Sequence, residues 1–130
     1  LNAATDALRA AGVEDPRLDA EVLLAEAAGV DRATLATGAE LPPAAARLFG
    51  EVVRRRLRRE PVAYIVGRQG FRNIELAVDR RVLIPRPETE LLVELALEMQ
   101  PARVLDVGTG SGAIALAIAD ELPGAGVWAS

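Results

Sequence analysis

Through the first sixty residues, apolar side chains recur at three- and four-residue intervals, the spacing of amphipathic helices, and the rhythm breaks at glycine and proline. Leu1, Ala4, Leu8 and Ala11 share one face, and Gly12 supplies a stop. A second helix restarts with Asp15 as N-cap and Pro16 in the first helical position, and carries Leu18, Val22 and Ala25 inward as far as Gly29. Asp31 caps a short third helix that runs through Leu35. Pro42 and Pro43 open a fourth, with Leu48, Phe49, Val52, Val53 and Leu57 inward. From Pro61 the texture changes. PVAYIVGRQG is apolar and then broken by glycine, and FRNIELAVDRRVLIP alternates like two short strands that turn at Arg72-Asn73 or Asp79-Arg80. PRPETELLVELALEMQ resumes helical spacing, with Leu91, Leu92 and Leu95 inward. A strand (103–107), a glycine loop (108–112), a helix (about 113–121), a turn at Pro123-Gly124 and the start of another strand then make half of a βαβ unit.

This pattern predicts an α+β chain: a small helical bundle over residues 1–68, a β-hairpin linker over 69–84, and the start of a Rossmann-like α/β domain over 85–130. A parallel sheet needs several βα units covered on both faces, so a continuation beyond Ser130 is expected.

Composition narrows the chemistry. Hydrophobic residues are 51% of the chain, enough for a core. Cysteine and histidine are both absent, which excludes disulfides, thiolate zinc sites, cysteine nucleophiles, imidazole bases and Ser/His triads, and no metal site is expected. The net charge of −4 argues against a surface built for nucleic acid. No apolar run approaches the roughly 18 residues of a membrane span and no signal-peptide pattern opens the chain, so no membrane contact, a cytoplasmic location and a monomer are expected. The arginine run RRRLRRE, residues 54–60, reads as a solvated face whose positive charge favours a helix C-terminus, with a protein or ribonucleoprotein contact as the alternative. Tyr64, Phe71 and Trp128 are isolated aromatics suited to packing.

The candidate site is VLDVGTGSGAIALAIA, residues 104–119. Gly108, Gly110 and Gly112 let the backbone turn tightly and approach a ligand, and the following helix offers unpaired N–H groups and a positive dipole end. A pyrophosphate or the amino-acid end of S-adenosyl-L-methionine could use that geometry. Asp106 discriminates between them. A carboxylate about 4 Å from a phosphate charge is repelled by roughly 1 kcal/mol in water and about 4 kcal/mol at an effective dielectric of 20, whereas it attracts an ammonium or sulfonium. Asp106 could instead cap the loop by accepting backbone hydrogens.

DVGTGSGAIALAIA resembles motif I of class I S-adenosylmethionine-dependent methyltransferases. VLIPRPETELLVE (82–94) and EPVAYIVGRQGF (60–71) resemble segments of the protein release-factor glutamine methyltransferases, the HemK/PrmC family. The resemblance implies a helical domain that recognises a protein substrate, a hairpin linker and a Rossmann-like catalytic domain. The implied reaction methylates the side-chain amide nitrogen of glutamine in the Gly-Gly-Gln motif of peptide chain release factors, with S-adenosyl-L-methionine as cofactor. It also implies that Asp106, Gly108, Thr109, Gly110, Ser111 and Gly112 contact the cofactor, and that Arg86, Pro87, Glu88 and Thr89 border the active-site pocket. Arg86 and Glu88 could form a bonded pair in the pocket wall, or Pro87 and the glutamates could simply start a helix.

The family's catalytic Asn-Pro-Pro-Tyr motif and the ribose-binding acid expected after the second strand are not among these residues, so no catalytic residue is assigned and the 130 residues alone are expected to be inactive. A ribosomal-protein glutamine methyltransferase and a non-catalytic module that binds a release factor or the ribosome are the alternatives. A nucleotide-dependent oxidoreductase is disfavoured by Asp106.

Overall fold

A computed structural model describes residues 1–130, which divide into two compact units, Leu1–Val66 and Gly67–Ser130. The first unit is a bundle of five helices: α1 (Asn2–Ala10), α2 (Pro16–Ala28), α3 (Arg32–Ala36), α4 (Ala45–Leu57) and α5 (Val62–Val66). Glycine ends α1 as the sequence predicts. Gly12 sits at φ +71°, which lets the Gly12 and Val13 N–H groups reach the Arg9 and Leu8 carbonyls and folds Val13 back onto Leu8. Asp31 Oδ1 accepts the Thr34 N–H at 2.6 Å and starts α3, and this contact holds its carboxyl below the usual aspartate range. Asp15 stands at the N-cap of α2, but its side chain makes no capping bond.

Two apolar clusters fill the bundle. Leu8, Val13 and Ala20 close one, and Leu23, Val53 and Ile65 the other, with Phe49 and Leu57 packed against both. Leu18 and Leu48 face water instead of the core, and Leu23, one turn and a residue beyond Leu18, takes the inward position. The helix α5 is a departure from the sequence expectation: Pro61 opens it, its carbonyl accepting the Tyr64 and Ile65 N–H groups, and Ile65 turns into the second cluster.

The arginine run is consumed largely inside this unit. Arg55 forks onto Glu60 (2.8 Å for both bonds), Arg56 pairs with Asp19 at 2.7 Å, and Arg59 donates to the Ala11 and Gly12 carbonyls at the end of α1. Arg59 holds a left-handed φ of +67°, a conformation that costs a non-glycine residue about 1–2 kcal/mol, and its two hydrogen bonds to otherwise open helix-end carbonyls offset that strain. Arg54 and Arg58 remain exposed.

In the second unit, β1 (Arg68–Phe71) and β2 (Ile74–Ala77) form an antiparallel hairpin that turns at Arg72-Asn73, the first of the two predicted turns. Phe71, Leu76 and Val78 are buried. The strands end at Ala77, short of the 69–84 span read from alternation. Ala77 pairs with Arg68, the first residue of β1, so the ladder has no further partner; beyond Val78, Asp79 accepts both the Arg81 N–H and its guanidinium in a local turn. A single 3₁₀ turn (Pro87–Thr89) leads into α6 (Glu90–Glu98). Strands β3 (Arg103–Asp106) and β4 (Gly126–Ala129) pair in parallel, connected through α7 (Ala113–Glu121), which is the predicted βαβ arrangement. Helix α7 buries Ala113, Ala115, Ala117 and Ile118 while packing on α6, β2, β3 and β4.

Two burial expectations fail here. In α6, Val93 is the buried residue, and Leu91, Leu92 and Leu95 are exposed. Trp128 is 54% exposed and lies with Leu105 on the sheet face away from α7. No helix is long and apolar enough to cross a membrane.

Candidate cofactor cleft

Strand β3 delivers Asp106 to its C-terminal end, and the backbone then enters a loop in which Gly108, Gly110 and Gly112 have φ of +76°, +58° and +83°. A Cβ on Gly108 or Gly110 would meet no atom within 4 Å, so backbone conformation and the open space above it, not crowding by protein, explain the glycines. The loop is tied at both ends. The Ser130 carbonyl accepts the Gly108 and Thr109 N–H groups at 2.9 and 3.0 Å, and the Ser130 N–H returns to the Asp106 carbonyl at 3.0 Å. The Thr109 carbonyl accepts the Gly112 N–H at 2.9 Å, and α7 begins with the Leu116 N–H bonded to the Gly112 carbonyl at 2.8 Å. The amides of Ala113 and Ile114 therefore lie in the first turn, where no intrahelical acceptor exists.

Asp106, Gly108, Thr109, Gly110 and Ser111 line a cleft of about 170 Å³ together with Ala113 and Ile114. Leu83, Pro85, Arg86 and Thr89 form the other wall. The two segments that the sequence singled out thus meet. Asp106 does not cap the loop: its carboxylate accepts no backbone N–H, and its partner is the Thr109 hydroxyl, 2.8 Å from Oδ2. Among the site residues predicted from sequence, Pro87, Glu88 and Gly112 do not line the cleft. Pro87 is the first residue of the 3₁₀ turn, Glu88 points to solvent, and Gly112 is the N-cap of α7. Arg86 and Glu88 form no ion pair. Arg86 is extended (φ −91°, ψ 144°), and its carbonyl accepts the Thr89 N–H at 3.0 Å, so backbone bonding shapes this wall.

Arg72, read from the sequence only as a turn residue, has a further part here. It occupies the hairpin turn at φ +50°; its guanidinium forks onto Glu121 of α7 and reaches Glu94 of α6, and its backbone N–H donates to Glu90 Oε1 at 3.0 Å. This clamp ties the hairpin to α6 and α7, whose N-terminal ends lead into the two walls. The hydrogen bonds to Glu121 raise the Arg72 pKa, and the same contact lowers that of Glu121. Its partners stand 18, 22 and 49 residues away, so no local pattern announces it.

The cleft suits one end of S-adenosyl-L-methionine. A carboxylate at the end of β3 attracts an ammonium, the open amides of α7 complement a carboxylate, and the bare glycine backbone admits close approach. At about 170 Å³ the cleft holds part of such a molecule, since whole small-molecule sites run to roughly 300–1,000 Å³.

Comparison with known proteins agrees with this construction. Residues 1–67 match the family model described as the PrmC N-terminal domain. A release factor glutamine methyltransferase from Rhodopirellula baltica is 49% identical over 129 residues, covering 92% of this chain and 44% of that protein. One from Xylella fastidiosa (strain Temecula1) is 50% identical over 131 residues, covering 95% and 48%. One from Moorella thermoacetica is 45% identical over 136 residues, covering 100% and 48%. The chain spans about half the length of the curated relatives it matches. A bundle that matches the family's N-terminal domain, followed by a glycine loop facing the PRPET segment, places this chain in the HemK/PrmC family.

Proposed function

We propose that this chain supplies the substrate-recognition domain and the opening part of the cofactor domain of an S-adenosyl-L-methionine-dependent methyltransferase. Its acceptor is the side-chain amide nitrogen of the glutamine in the Gly-Gly-Gln motif of peptide chain release factors. The observation that carries this reading is the meeting of Asp106 and the glycine loop with Arg86 and Thr89 across one cleft. The names borne by the relatives support the substrate.

In this reading the cofactor supplies an electrophilic sulfonium methyl group. Asp106 draws in the ammonium of its amino-acid end, and Gly108 and Gly110 keep the loop low enough for that end to seat. The amides of Ala113 and Ile114, with Arg86 on the opposite wall as a nearby positive charge, would complement its carboxylate. An amide nitrogen is a weak nucleophile because its lone pair is delocalised into the carbonyl. Its activation requires acceptors that orient the NH₂ group and stabilise the charge growing on nitrogen, the role expected of the Asn-Pro-Pro-Tyr motif. That motif is not among residues 1–130, so these residues alone are expected to transfer no methyl group.

Mass spectrometry of release factors from a strain lacking the gene tests the reading. The Gly-Gly-Gln glutamine is expected unmethylated there. Unchanged methylation of that residue, with loss of a methyl group from a ribosomal-protein glutamine, would reassign the substrate.

A further inference from the structure

We infer that Thr109 is a positioning residue that acts on the cofactor through Asp106, setting the selectivity of the cleft for ligands that carry an amino-acid end. The inference rests on the cofactor reading above and assigns one residue a distinct part in it. Thr109 lies between two glycines in left-handed conformation, where a β-branched side chain gains nothing from local backbone preference. Its backbone is fixed on both sides, by the N–H to Ser130 and by the carbonyl to Gly112, so its side chain has a set origin. From there the hydroxyl donates to Asp106 Oδ2 at 2.8 Å, the one hydrogen bond made by that carboxylate.

A carboxylate has two oxygens and rotates about its last side-chain bond. With Oδ2 held by Thr109, the plane of the group is fixed and Oδ1 is left for the cleft that Asp106 lines. An ammonium arriving there meets an oriented acceptor and orders no side chain on binding. Without the hydroxyl, Asp106 would rotate freely or turn to water, and the advantage of an ammonium-bearing ligand would shrink. Any contact with the adenosine end would be untouched.

The test uses the protein at its relatives' length and two probes, S-adenosylhomocysteine and 5′-methylthioadenosine, which share the adenosine and differ in the amino-acid end. Calorimetry on Thr109→Val should show S-adenosylhomocysteine weakened roughly tenfold, the size expected for one hydrogen bond to a charged group, with methylthioadenosine unchanged and with affinity restored in Thr109→Ser. In an Asp106→Asn background, Thr109→Val should have no further effect, and this cycle decides the matter if methylthioadenosine binds too weakly to measure. Equal weakening of both probes, full affinity in Thr109→Val, or additive losses in the double variant would each overturn the inference. Failure of the unsubstituted protein to bind S-adenosylhomocysteine would instead remove the cofactor reading on which it stands.

Discussion

Between Leu1 and Val66, side chains from several helices close on one another until Leu8 and Leu23 lose all contact with water, and Arg55, Arg56 and Arg59 of a charged run pair with carboxylates and helix-end carbonyls. Between Gly67 and Ser130, Phe71, Leu76, Val93, Ile118 and alanines of α7 are buried, yet Leu83, Leu91, Leu92, Met99, Leu105 and Val107 are each more than half exposed. The helical unit is closed by apolar packing. The sheet unit covers one face of its two parallel strands with α7, leaves Leu105 and Trp128 on the other, and adds the Arg72 clamp and loop hydrogen bonds to its apolar contacts. A parallel sheet ordinarily needs cover on both faces, and the relatives are about twice as long as this chain. The contrast separates a unit whose large apolar side chains are mostly covered from one that leaves many of them exposed around a ligand cleft.

Substitutions that act on one side of this contrast sharpen it. The largest expected effect is in the bundle: Leu23→Ala should cost about 2–5 kcal/mol by urea unfolding, because it empties a fully enclosed site. Leu91→Ala removes the same atoms from an exposed site on α6 and should stay within about 0.5 kcal/mol. Equal losses at the two positions would erase the distinction. Next comes Gly110→Ala, which should strain the loop by about 1–2 kcal/mol and weaken S-adenosylhomocysteine binding at the relatives' length, though nothing stands in the way of the new methyl group. Gly112→Ala, at φ +83°, should strain the loop similarly: its Cβ would lie 3.0 Å from Cδ1 of the half-exposed Leu116 side chain, which can move aside.

The smallest effect is electrostatic and depends on pH. Arg72 holds the Glu121 carboxyl below the ordinary glutamate value of 4.5, so the folded state binds fewer protons than the unfolded state as acid is added. The stabilisation is complete above that value and is lost as pH falls through the lowered one. Glu121→Gln should therefore lower the urea midpoint at pH 7 and converge with the unsubstituted protein at progressively lower pH. Asp79, pushed down to about 2 by Arg81, should behave similarly from 3.8 downward, with a smaller amplitude because its partner is well exposed. A difference at Glu121 that persists unchanged in strong acid would show that the clamp contributes no charge pairing.

Much of this was legible because it is local. Gly12, Pro16 and Gly29 punctuate helices through their own backbone preferences, the Asp31 cap reaches three residues, and the glycine loop advertises itself by spacing. Burial was less legible. Leu18, Leu91, Leu92 and Leu95 fit a helical stripe, but which part of a stripe is covered depends on what packs against it, and Ala20, Leu23 and Val93 won those positions. The strands end at Ala77 because its partner, Arg68, is the first residue of β1 and Gly67 before it is in left-handed conformation; the Asp79–Arg81 turn follows beyond that point. Arg72 was legible as a turn residue but not as a clamp, since that role exists only once α6 and α7 stand beside the hairpin turn.

The central claim is that the carboxylate of Asp106 selects a positively charged amino-acid ligand at the glycine loop. Calorimetric titration of the protein at its relatives' length, unsubstituted and as Asp106→Asn, tests it most directly. S-adenosylhomocysteine should bind the unsubstituted protein, NAD should not, and the asparagine variant should lose roughly tenfold or more in affinity, as expected for a charged hydrogen bond. Equal affinity in both proteins, or saturable binding of NAD, would contradict it.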